Sequence, residues 1–141
     1  MTATNPFFDI SLLPYQAPHF DQINDSHYRP AFDEALRQKR ADIDAIVAQA
    51  AAPDFTNTVL ALEKSGAMLA RVSSVFFAMT SAHTNAYLQE LEEQFSTELA
   101  ALANDIWLND TLFARVESVW QDRAVLDAES RRLVEETYQR F

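Results

Sequence analysis

The side chains best suited to ligate a metal are three histidines, His19, His27 and His83. Two imidazoles on a helix face one ion only when three or four residues separate them, and none of the three has such a partner; no His-Glu-x-x-His occurs. His83 follows an apolar segment near a helix end and reads as a hydrogen-bonded structural residue, while His19 and His27 read as bonding to backbone or water. Glu90 and Glu93 are i, i+3 neighbours with Glu92 beside them, and could supply carboxylate ligands. They fall in the first turn of a helix, however, where negative charge complements the helix dipole. The Glu-x-x-His pairs of di-iron bundles are missing. A serine nucleophile needs a base and an oxyanion hole, and a phosphate loop needs several glycines, but Gly66 is the single glycine and there is no cysteine. Asn24-Asp25-Ser26 and Asn109-Asp110-Thr111 match the N-glycosylation pattern and, without a secretory leader, read as chance. Phe76-Phe77, Trp107 and Trp120 read as core. No catalytic, cofactor-binding or metal-ligating residue is therefore assigned.

The elements that would position any such group are helical. Of 141 residues, 48% are hydrophobic, with ten Phe, four Tyr and two Trp. That is too apolar for disorder and enough for a real core. One glycine cannot supply the positive φ angles of a set of β-hairpins, which favours helices. The fold class is all-α: an antiparallel module of about five helices over residues 25–141, preceded by an extended arm over residues 1–24. The arm holds Pro6, Pro14 and Pro18 among Phe7, Phe8, Tyr15 and Phe20 without sustained periodicity. Its aromatics suggest that it lies on a protein surface, inside or outside this chain.

A first helix from about Ser26 carries Phe32, Leu36, Ile43, Ile46 and Val47 on one face, has Pro30 near its first turn, and stops before Pro53. Thr56 or Asn57 caps a second, whose stripe runs from Val59 through Leu62, Gly66, Leu69, Val72 and Phe76 to Met79. Gly66 on that stripe points to close approach of a neighbouring helix, with a break in the helix or a ligand contact as alternatives. Asn85 opens a third helix ending near Asn109. Asp110 caps a shorter one, and Asp127 a last one whose apolar pattern reaches Phe141 without a terminator, as in a piece of a longer polypeptide.

Twenty-one acidic against eleven basic residues give a net charge of −10, which disfavours nucleic acid and membrane surfaces as partners. The N-terminus has no signal-peptide pattern, so a cytoplasmic location is the default expectation. Apolar faces made for a partner would be exposed in an isolated module, which points to self-association. On residues alone the chain reads as an acidic helical module, and a stand-alone protein-interaction module is one function for it.

The segments Asn5-Pro6-Phe7, Leu13-Pro14-Tyr15, Ala17 to Asp21 (APHFD) and His27 to Phe32 (HYRPAF) resemble the start of the thimet-oligopeptidase-like zinc metallopeptidases. Asp54 to Thr58, Leu60 to Glu63 with Ser65-Gly66, Arg71 to Thr80, Ala82 to Asn85, Ala103 to Ile106 and Leu112 to Val116 extend the likeness over essentially the whole chain. It is nearer to the bacterial peptidyl-dipeptidase branch than to oligopeptidase A. The resemblance implies an N-terminal, non-catalytic fragment of an enzyme that releases C-terminal dipeptides from oligopeptides, using zinc held by a His-Glu-x-x-His helix and a downstream Glu. None of those residues falls within this sequence, so the fragment alone is expected to be inactive. The implied partners are its own catalytic domain and oligopeptide substrates, with these helices forming part of a substrate-channel wall.

Overall fold

In the computed structural model, residues 5–141 are described; residues 1–4 of the expected arm lie outside the described residues. The fold is all-α, 73% helical, with five main helices and no strand among the described residues. Residues 5–24 form turns, including a 3-10 turn at Pro14–Gln16. They lead into α1 (Asp25–Val47). The Asn24 side-chain oxygen accepts the Ser26 N–H at 3.1 Å, so the helix begins early enough to place Pro30 in its second turn, beyond the first-turn position expected. Proline's φ suits the helix, but in the second turn its missing N–H forgoes a bond to the Ser26 carbonyl, which the ring also crowds.

The second helix departs from expectation twice. Its cap is Asp54, whose carboxylate accepts the Asn57 N–H at 2.7 Å while the Asn57 side-chain oxygen accepts the Asp54 N–H at 3.0 Å; Thr56 and Asn57 are inside the element. This reciprocal capping box starts a wide π turn (Phe55–Leu60) that continues as α2 (Ala61–Lys64). The expected run to Met79 is broken at Ser65, which is extended, and Gly66, at φ 72° and ψ 30°. Glycine takes that left-handed conformation without the Cβ penalty other residues meet. A Cβ there would also stand 2.5 Å from Lys39 Cδ. Of the alternatives for Gly66, the structure shows the break, with a close neighbour as well. The helix resumes as α3 (Ala67–Ala82).

Asn85 caps α4 (Ala86–Trp107) by accepting the Leu88 N–H at 2.9 Å. The next cap is Asn109, one residue before the expected Asp110; it accepts the Leu112 N–H and starts α5 (Asp110–Gln121). A 3-10 turn at Arg123–Val125 leads to Asp127, which accepts the Glu129 and Ser130 N–H groups and caps α6 (Ala128–Tyr138) as expected.

The chain divides into two compact units. One comprises the described residues up to Lys39 together with Gly66–Thr97. In it α3 runs antiparallel to α1, since Tyr28 meets Phe76 while Lys39 lies under Gly66. α4 runs parallel to α1, because Asn85 bonds Asp25 at the start of both and Phe95 stacks on Phe32 further along. The other comprises Arg40–Ser65 and Glu98–Phe141. There Val59, Val119 and Val134 form a buried cluster under Phe55, Trp120, Leu126 and Leu133. α6 folds back along α5, so that Phe113 near the start of α5 meets Tyr138 and Phe141 at the far end of α6.

Candidate functional site

Each histidine has a local role. His27 Nδ1 accepts the Asn24 N–H at 3.2 Å, and its carbonyl accepts the Asn5 side-chain amide at 2.8 Å. The His19 carbonyl accepts the N–H groups of Gln22 and Ile23 and so closes the turn before α1. His83 is the exposed C-cap of α3, its N–H bonded to the Met79 carbonyl at 2.7 Å. The acidic trio lies beyond the first turn of α4, which holds no acidic residue because the helix starts at Ala86, so the expected pairing with the helix dipole is not made there; Glu90 takes a hydrogen bond from Gln94 one turn on, and Glu93 offers its carbonyl to Thr97. Among the described residues, no three His, Asp or Glu side chains come close enough to share a metal ion. Phe76 is fully buried, whereas Trp107 and Trp120 are only half-buried.

Two arginines that periodicity did not single out hold non-helical backbone. Arg115, 8% exposed, donates to the carbonyls of Gln49 and Ala51 at 3.0 and 3.4 Å, and to the side-chain oxygens of Asn57 and Thr58 at 3.0 and 3.3 Å. A guanidinium is suited to this because its donors fan out in one plane. The sequence held a signal: Arg115 falls at the alternating three- and four-residue spacing between Leu112 and Val119, a charge on an apolar stripe. In the other unit Arg71 donates from Nη2 to the Phe7 carbonyl at 2.7 Å and pins the arm.

The arm is thereby divided. Asn5 and Phe7 are buried; the Asn5 side chain caps the Phe7 N–H while reaching His27, and the Phe7 ring lies 5.7 Å from that of Tyr28. Burial, and then the nearby Asp25 charge, push the Tyr28 hydroxyl above its ordinary pKa, so this ring packs as a neutral group. From Phe8 onward the apolar side chains turn outward: Ile10 is 65% exposed, Leu12 96% and Tyr15 fully, with Phe8 and Phe20 near half. Tyr15 and Gln16 both have positive φ, 59° and 55°, which costs about 1 kcal/mol for each residue that is not glycine. Beside Phe8 is an open notch of about 480 Å³ lined also by Pro30, Asp33, Glu34, Arg37 and Met68. Hydrogen bonds from Arg37 and then Gln38 hold the Glu34 carboxyl down to about 2, so the rim of the notch carries an ionised carboxylate paired with Arg37. Among the described residues no helix is long and apolar enough to cross a membrane.

No family model matches the chain. It is 67% identical over 141 residues to a dipeptidyl carboxypeptidase of Salmonella typhimurium and 65% identical over 143 aligned positions to a dipeptidyl carboxypeptidase of Escherichia coli. These matches cover 99% and 100% of the chain and 21% of each relative, so the chain spans about a fifth of the length of the curated proteins it matches. At this level of identity, sustained from the arm through α6, the chain matches an N-terminal portion of the dipeptidyl carboxypeptidases.

Proposed function

We propose that the longer protein to which these residues belong is a cytoplasmic zinc peptidase that releases dipeptides from the C-termini of oligopeptides, and that residues 1–141 contribute no catalytic group to it. The observation that carries this reading is the 65–67% identity to dipeptidyl carboxypeptidases over the whole chain. The donor set within the chain does not fit a resident zinc: His27 is engaged with Asn24, His19 lies in a turn before α1, His83 is the C-cap of α3, and among the described residues no three His, Asp or Glu side chains come close enough to share an ion. A peptidase zinc site needs three converging protein ligands and an open position. Those ligands belong to residues outside the chain.

The role left for the helices is steric. Two cores fix the shape of their outer faces, and a net charge of −10 surrounds them with a negative field. We assign these faces to part of the wall of the channel through which oligopeptides reach the catalytic groups. The test compares the full-length protein with a version lacking residues 1–141, on short oligopeptides and on a folded protein substrate. The reading predicts that the deletion abolishes dipeptide release or removes the size limit. A folded deletion variant with unchanged dipeptide release and an unchanged size limit would sink the channel-wall role.

A further inference from the structure

We infer that Phe8–Phe20 is a docking strip for the part of the longer polypeptide that lies outside residues 1–141. The inference rests on the proposal that the chain is one portion of a larger folded protein. Six large apolar side chains, Phe8, Ile10, Leu12, Leu13, Tyr15 and Phe20, are exposed within thirteen residues. The only acidic or basic side chain among those residues, counting His19 as neutral, is Asp9, in a chain whose net charge is −10. An exposed apolar patch of this density marks an interaction surface. The strip is anchored: Asn5 on His27 and Arg71 on the Phe7 carbonyl fix where it leaves its own unit. That unit buries Phe7 to 2% exposure, and the next residues turn away from it. The left-handed turn at Tyr15 and Gln16 holds the Tyr15 ring fully outward despite the backbone strain. The notch beside Phe8 offers a place for an incoming side chain.

The occupant is identified by size and charge. About four-fifths of the relatives' length lies outside the match, which is ample to supply a covering face on the same polypeptide. A second copy would bring another −10 surface against the first, and like net charge opposes that association.

The test places the photo-cross-linker p-benzoylphenylalanine at position 15 of the full-length protein. The expected product is a link within one polypeptide, from position 15 to a residue outside 1–141, at a yield independent of protein concentration. A link to a residue inside 5–141, a doubled-mass product that grows with concentration, or no link at all would overturn the inference. As a second measurement, Leu12→Asn combined with Tyr15→Asn removes side chains that this chain leaves in solvent. Docking predicts that the pair lowers the unfolding midpoint of the full-length protein by about 2 °C or more; an unchanged midpoint counts against it. Dipeptide release measured on the same preparations keeps the two proposals apart. A cross-link without dipeptide release upholds the strip and defeats the peptidase reading, and release without the cross-link does the reverse.

Discussion

In the unit built from residues up to Lys39 and Gly66–Thr97 the interior is centred on rings, with aliphatic side chains such as Leu36, Val72 and Leu91 buried around them: Phe32 stacks on Phe95 with ring centroids 3.7 Å apart, and Tyr28 joins Phe7 to Phe76. In the unit of Arg40–Ser65 and Glu98–Phe141 the buried side chains are aliphatic, Val59, Leu112, Val116, Val119 and Val134, and a buried guanidinium replaces the aromatic centre. The large rings of this unit, Trp107, Phe113, Trp120 and Tyr138, are only partly buried. Ring packing depends mainly on area and tolerates small rotations, whereas the four acceptors around Arg115 require one geometry. The first unit is therefore most sensitive to lost volume, and the second to lost donors.

Phe32→Ala should cause the largest damage, about 4 kcal/mol, by emptying the centre of the aromatic stack. Faster amide exchange in α3 reports it. Arg115→Ala should cost about 3 kcal/mol by taking the guanidinium donors from the Gln49 and Ala51 carbonyls and leaving the Asn57 and Thr58 oxygens one donor short. Both tryptophans, Trp107 and Trp120, belong to the same unit as Arg115, so a urea titration followed by their fluorescence reads this loss. Arg115→Lys should recover only part of it; full recovery would show that charge matters and fork geometry does not.

Smaller effects sharpen the boundaries of the units. Gly66→Ala should cost about 1.5 kcal/mol, because alanine meets both the left-handed backbone and the Lys39 stem. Asn109→Ala should cost about 1 kcal/mol through loss of the α5 cap, and Asp110→Ala, one residue on, should cost less; urea midpoints for the two variants check which residue is the cap. At the small end is Asp127, whose carboxyl is held below its ordinary range, first by hydrogen bonds from Ser130. A carboxyl depressed in the folded state stabilises above its unfolded pKa, near 3.8, and that contribution is lost as pH falls through the lower folded value. Acid titration of the Glu129 and Ser130 amide signals should show α6 loosening below about pH 3.8 in the parent, and no such step in Asp127→Asn, which keeps a capping oxygen.

The helices were legible because their apolar residues recur at three and four, and Asn85 and Asp127 were legible as caps because each immediately precedes such a run. Asp54 was missed since its partner Asn57 is itself a good cap residue, and only the folded turn shows that both bond reciprocally. Gly66 lies on the stripe in either reading; a continuous helix and a helix broken at a left-handed glycine have the same apolar spacing. The candidate site was legible as motifs of a family and not as geometry. Nothing in the spacing of Phe7 and Phe8 tells that one is buried against Tyr28 while the other faces solvent. That division is made by Asn5 and by Arg71, which lies 64 residues beyond Phe7.

The proposed function places every zinc ligand of the longer protein outside residues 1–141. Its most direct test is the zinc content of the purified full-length protein carrying His19→Gln, His27→Asn and His83→Gln together, with dipeptide release measured on the same sample. One zinc per polypeptide and release within about twofold of the parent are expected. A folded triple variant that has lost its zinc would contradict that placement.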